Sequence, residues 1–155
     1  MAQPDLVVLA EGDLPAGQHW ILKAGGTRGD FYTFLETIHP DGRRDEGGMG
    51  GPPLYPGSLM NTYTGGSDRG LRRVVVRADP RVATVRVELA SGEVLDLPPL
   101  AYRADLGVLF FATLLPQAEG LVSVTAAGPD GQMLEPQDLS RDEENWQRFL
   151  RRRQG

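Results

Sequence analysis

Apolar and polar residues along this chain alternate with a period of two in short runs, the signature of half-buried β-strands. The alternation is densest between Leu71 and Ala127. There Ala83, Val85, Val87 and Leu89 alternate with Thr84, Arg86 and Glu88, and Ser91-Gly92 turns the chain into a return strand, Glu93 to Leu97. In Arg73 to Arg77 the valines at 74 and 76 point one way and both arginines the other. Leu106 to Leu115 is apolar on both faces, which predicts a central strand that needs a cover on each side.

Weaker runs flank this stretch. Leu6 to Ala10 reads as a first strand. Gln18 to Lys23 reads as a second, with Trp20 and Leu22 on one face and His19, Ile21 and Lys23 on the other. Asp30 to Ile38 is a third, rich in aromatic and β-branched residues. Leu121 to Ala126 and a short strand near Met133-Leu134 follow the central run. From Gly42 to Gly70 the pattern dissolves, and Gly47 to Pro53 reads as irregular, because glycine is flexible and proline cannot donate to a ladder. Only Leu59 to Thr64 within this segment reads as a strand.

The C-terminus changes period. Ser140 and Glu143 form a capping box, and Trp146, Phe149 and Leu150 fall on one face at helical spacing, so an amphipathic helix is expected to about Gln154. The expected organisation is a single antiparallel β-sandwich domain over residues 1–137, with a glycine-rich loop insertion at 42–70. The C-terminal helix follows at 138–155. The fold class is mainly β.

Composition narrows the chemistry. The chain has 155 residues, enough for one domain with a sizeable core, and no cysteine, which excludes disulfides and thiolate chemistry. A net charge of -5 argues against nucleic acid as a partner. The apolar run Leu6 to Ala10 is too short for a signal core and no stretch is long enough to span a membrane. Those observations predict no membrane insertion and a cytoplasmic protein by default, or an extracytoplasmic one if a leader was removed.

Several details of Arg72 to Leu134 form a shared idiom. They are Asp79-Pro80-Arg81-Val82 entering the alternating strand, the Ser91-Gly92 hairpin, Phe110-Phe111 ahead of Leu115-Pro116, and Val122 to Ala126 ahead of Asp130-Gly131. In these the stretch resembles immunoglobulin-like or fibronectin-type-III-like β-sandwich modules of GC-rich bacteria. The cysteine pair and core tryptophan of antibody-type domains are missing. The resemblance implies a sandwich and brings no catalytic residues with it.

Candidate sites are few. His39 with Asp41, Asp45 and Glu46 has oxygen and imidazole ligands, but the spacing matches no standard metal motif and favours a solvated turn. No Gly-x-Ser-x-Gly elbow and no phosphate loop is present. Neither a cofactor nor a metal is expected. The candidate binding residues are Tyr55, Tyr63 and Tyr32 near the 42–70 loop, with Trp146, Phe149 and Leu150 on the tail. The leading expectation is therefore a non-enzymatic module that binds another protein or associates with itself. The alternative is a small-molecule or carbohydrate-binding domain that uses the 42–70 loop and its tyrosines.

Overall fold

The structure, a computed structural model, describes residues 5–66, 71–116 and 119–138. Those residues form twelve strands and no helix. The expected helix, with Trp146, Phe149 and Leu150, lies outside them. Among the described residues no helix is long and apolar enough to cross a membrane.

The strands make three antiparallel sheets of four. The first is a meander of β1 (Val7–Asp13), β2 (His19–Gly26), β3 (Phe31–Ile38) and β4 (Arg44–Met49). The middle sheet has the order β5-β6-β10-β9, from β5 (Met60–Gly66), β6 (Arg72–Ala78), β10 (Val108–Leu115) and β9 (Ala101–Arg103). The third has the order β12-β11-β7-β8, from β12 (Met133–Asp138), β11 (Leu121–Ala127), β7 (Thr84–Leu89) and β8 (Val94–Leu97).

Two cores result, one on each face of the middle sheet. Val74, Val76 and Phe111 meet Val85, Val87 and Val124 of the third sheet. Val75, Val108 and Phe110 meet Leu22, Ala24, Phe31 and Leu35 of the meander. The two-faced apolar character of β10 is thus explained by a sheet on either side. The meander supplies most of the cover for its second face. The segment between β4 and β5 contributes Leu54 to the rim of that core.

The glycine-rich stretch requires a correction. Expected to be irregular, it contains β4, which pairs with β3 from Thr33↔Met49 to Ile38↔Arg44. Glycine sits there because its neighbours leave no room for a side chain. A Cβ at Gly47 would lie 2.7 Å from the Tyr63 hydroxyl, and one at Gly48 would strike the Thr33 carbonyl. Tyr63 in turn lies over Gly65 of its own strand. The ring of Tyr63 therefore fills the space between two sheets that glycines leave open.

Arg73 and Arg77 of β6 point away from Val74 and Val76, as the alternation predicts, but they do not reach solvent. Arg73 and Arg77 are fully buried between the middle sheet and the meander. Arg73 Nε donates to the Leu35 carbonyl at 2.9 Å. Burial lowers the Arg73 pKa, opposed by the nearby Asp45, Tyr63 and Glu46.

Candidate functional site

The best-formed polar site grows from a single cross-strand pair, Asn61 of β5 opposite Arg77 of β6. The segment beside them, Gly50-Gly51-Pro52-Pro53-Leu54-Tyr55-Pro56, is poor in N–H groups and rich in carbonyls. Such a segment needs donors from elsewhere if its carbonyls are to be buried. Arg77 Nη2 donates to the carbonyls of Gly50 and Pro52, both at 3.0 Å. Its Nη1 donates to the Phe31 carbonyl at 3.1 Å and to Thr33 Oγ1 at 3.3 Å. Asn61 Nδ2 donates to the Pro53 carbonyl at 3.2 Å, and Asn61 Oδ1 accepts from the Tyr55 amide at 3.3 Å. Two buried side chains thus clamp a turn that composition alone reads as loose.

Arg77 makes no hydrogen bond to a carboxylate among the described residues; carbonyl oxygens and the face of Phe31, 5.4 Å from its guanidinium carbon, surround it. Desolvation pushes its pKa down to about 10, which leaves it charged at neutral pH.

The clamp holds Tyr55 outward, 55% exposed. Tyr55 forms one wall of a pocket of about 430 Å³, with Asn61 and Arg77 beneath and Met49 and Met60 as its apolar part. Ser58, Thr62 and Glu135 bring further oxygens to it. The Thr62 hydroxyl is buried and has no hydrogen-bond partner. Both Glu135 carboxylate oxygens accept from the Leu59 amide at 3.2 Å, which ties β12 to the entry of β5. The pocket therefore lies where edge strands of all three sheets, β4, β5 and β12, come together. It offers an aromatic face, a carboxylate, an amide and hydroxyls. No histidine lines it.

Of the tyrosines expected to bind, only Tyr55 lines this pocket. Tyr63 is spent between the sheets. Tyr32 stacks on Phe34 with ring centroids 6.1 Å apart, and its hydroxyl donates to Asp30 at 3.0 Å. Alternation legibly separates Asn61 from Met60, but nothing in the sequence ties Asn61, Arg77 or Glu135 to the turn. Those contacts span up to 76 residues.

His39 and its acidic neighbours do not converge. Adjacent residues of a strand face opposite ways, so Asp45 turns inward to His39 Nε2 at 2.6 Å while Glu46 turns outward to Lys23 at 2.9 Å. Asp41 accepts from the Arg43 amide in the hairpin turn. Among the described residues no three His, Cys, Asp or Glu side chains are placed to hold a metal. His39 is nevertheless buried, so the expected solvated turn is corrected to a buried histidine hydrogen-bonded to Asp45.

Burial alone pushes the Asp45 carboxyl up. The His39 hydrogen bond and the charges of His39, Arg73 and Arg43 outweigh it and hold the group below its ordinary value. A depressed carboxyl stabilises the fold above its unfolded pKa, and that stabilisation is lost as pH falls through the folded value. Asp45→Asn, which keeps an acceptor oxygen facing His39 but removes the carboxylate charge, should therefore cost about 1 kcal/mol at pH 7. In thermal melts against pH the gap to wild type should close below about pH 4.

The other histidine, His19, bridges Asp13 at 2.7 Å and Glu11 at 3.0 Å on the outer face of the meander. The Asp13 hydrogen bond chiefly raises its pKa.

A second, apolar pocket of about 210 Å³ lies between Trp20, Leu35, Leu100 and Leu114. Its lining is apolar apart from the Thr113 hydroxyl and the Trp20 indole N–H. Compared with protein-family models, curated proteins and solved structures, the chain matches none.

Proposed function

We propose that this protein is a non-enzymatic, immunoglobulin-like binding module, and that its ligand is a small polyhydroxylated molecule of the sugar type held in the Tyr55 pocket. The strand orders support the immunoglobulin-like assignment. The order β5-β6-β10-β9 opposite β12-β11-β7-β8 follows the order A-B-E-D opposite G-F-C-C′ of immunoglobulin sandwiches. On this reading the β1–β4 meander is an added layer over the A-B-E-D sheet.

The observation that carries the ligand class is a half-exposed tyrosine ring held over clustered amide, hydroxyl and carboxylate groups. A sugar presents C–H faces to such a ring and hydroxyls to such polar groups. A volume near 430 Å³ falls within the range of small-molecule sites. The Glu135 carboxylate that lines the pocket beside Ser58 is engaged by the Leu59 amide, which favours binding over activation of that hydroxyl.

A panel of mono- and disaccharides read by thermal shift tests this. A sugar at one hundred times its Kd should add about 2.7 kcal/mol of stability, and Tyr55→Ala should abolish the shift. Because Tyr55 is exposed, that substitution should change the stability of the free protein by only about 0.5 kcal/mol. A panel without hits, or a shift that survives Tyr55→Ala, would sink the proposal.

A second reading, association with another protein or with a second copy, is favoured by β1. It pairs with β2 on one side, and its other edge has no partner strand among the described residues.

A further inference from the structure

The polar groups of the Tyr55 pocket are not equally free to meet a ligand. The Nη hydrogens of Arg77 are spent on the chain itself, from one nitrogen on Phe31 and Thr33 and from the other on Gly50 and Pro52. Its Nε is buried. Asn61 is engaged at both ends of its amide, by Pro53 and by Tyr55. The cation beneath the pocket therefore has no hydrogen to give to an arriving carboxylate or phosphate.

Glu135 is in the opposite position. A carboxylate has about four acceptor sites, yet both of its oxygens share one neutral donor, the Leu59 amide, at 3.2 Å. Among the described residues no cation pairs with it. The side chain is half-buried in the pocket wall, where a charge without a partner is costly. The Thr62 hydroxyl, buried and without a hydrogen-bond partner, is a further acceptor in the same lining. What the chain leaves unsatisfied here is acceptor capacity and one negative charge.

We infer that the ligand of this pocket is an amino sugar, and that Glu135 selects it by pairing with its ammonium group; this rests on the sugar reading above. An ammonium brings three donors and no acceptor, the complement of what Glu135 and Thr62 leave open. A charge-assisted hydrogen bond to a carboxylate is roughly twice as strong as a neutral one, so an amine gains over a hydroxyl in the same place. The face of the Tyr55 ring, which receives the C–H groups of the sugar, also attracts a nearby cation. An acidic sugar would be repelled by Glu135 and would find no free donor on Arg77 in return. The chain's net charge of -5 adds to that bias.

Titration calorimetry of the full chain with glucosamine, glucose and glucuronate tests the inference, at about pH 6.5 to keep the amine protonated. Glucosamine differs from glucose only in its amino group and should bind about tenfold more tightly. The gap should narrow at high salt, and glucuronate should bind more weakly than either. Glu135→Gln keeps an oxygen for the Leu59 amide, and it should bring glucosamine down to the affinity of glucose while leaving glucose unchanged. Should that variant fail to fold, the three sugars on wild type still decide. Glucose bound as tightly as glucosamine overturns the inference and leaves the sugar reading standing. A preference for glucosamine that survives Glu135→Gln overturns the role of Glu135. If glucosamine does not bind while a neutral sugar does, the inference falls alone; if no sugar binds, both fall.

Discussion

Replacing Arg77 with methionine should lower stability by about 3 kcal/mol, although the methionine has similar length and fits an apolar site. Four hydrogen bonds from the guanidinium disappear, to Phe31, Thr33, Gly50 and Pro52. At a net value of about 1 kcal/mol each they sum to roughly 4 kcal/mol. Relief of a desolvated cation offsets part of that loss, as replacements of buried charges by apolar residues have shown. For a chain of this size the change corresponds to a fall of roughly 10 °C in Tm. Arg77→Lys keeps the charge but not the planar fork, so it should recover only part of the loss. Chemical denaturation of the three proteins checks the order. A methionine variant as stable as wild type would mean that the carbonyls of residues 50–52 do not depend on this side chain.

The same substitution should loosen the Tyr55 pocket. Arg77 and Asn61 are the two clamps on the turn that carries Tyr55, and removing one leaves Gly50 and Pro52 without donors. Ligand affinity should therefore fall along with stability in Arg77→Met, whereas Tyr55→Ala should remove affinity alone. The fold and the pocket are coupled through one buried cation.

Much of this architecture is legible in alternation. β7, β10 and β11 alternate as half-buried or central strands should, and Trp20 and Leu22 share the inward face of β2. β4 escapes because its residue types record its neighbours and not its own propensity: Gly47 makes way for Tyr63, and Gly48 for the backbone of β3. The pattern places Arg73 and Arg77 on the correct face, yet charge there suggests water, and only the three-dimensional path of the Gly50–Pro53 carbonyls reveals another solvent for them. The meander escapes as the cover of β10 for a related reason. Its inward face mixes Leu22 and Leu35 with Thr33, Thr37 and Asp45, so no single run advertises a core. The pocket is the least legible feature, since its parts come from β4, β5, β6, β12 and the turn before β5.

Phe110→Ala and Phe111→Ala should each cost about 3–5 kcal/mol, the range for emptying a buried aromatic site. The near-equality is the informative part. Successive residues of β10 face opposite ways, and both rings are fully buried. Phe111 packs against the third sheet, and Phe110 against the meander, 6.2 Å from the ring of Phe31. If the middle sheet met solvent on one face, the residue on that face would be replaceable at a cost within about 0.5 kcal/mol. Urea denaturation of both variants therefore measures whether β10 lies between two cores. Should either alanine variant fail to fold, Phe110→Leu and Phe111→Leu offer milder versions of the same comparison. A Phe110 variant close to wild type beside a strongly destabilised Phe111 variant would mean that the meander contributes little to holding the fold. Comparable losses would make the added sheet an integral layer, so that the edge of β1 and the pocket beside β4 sit on one cooperative body.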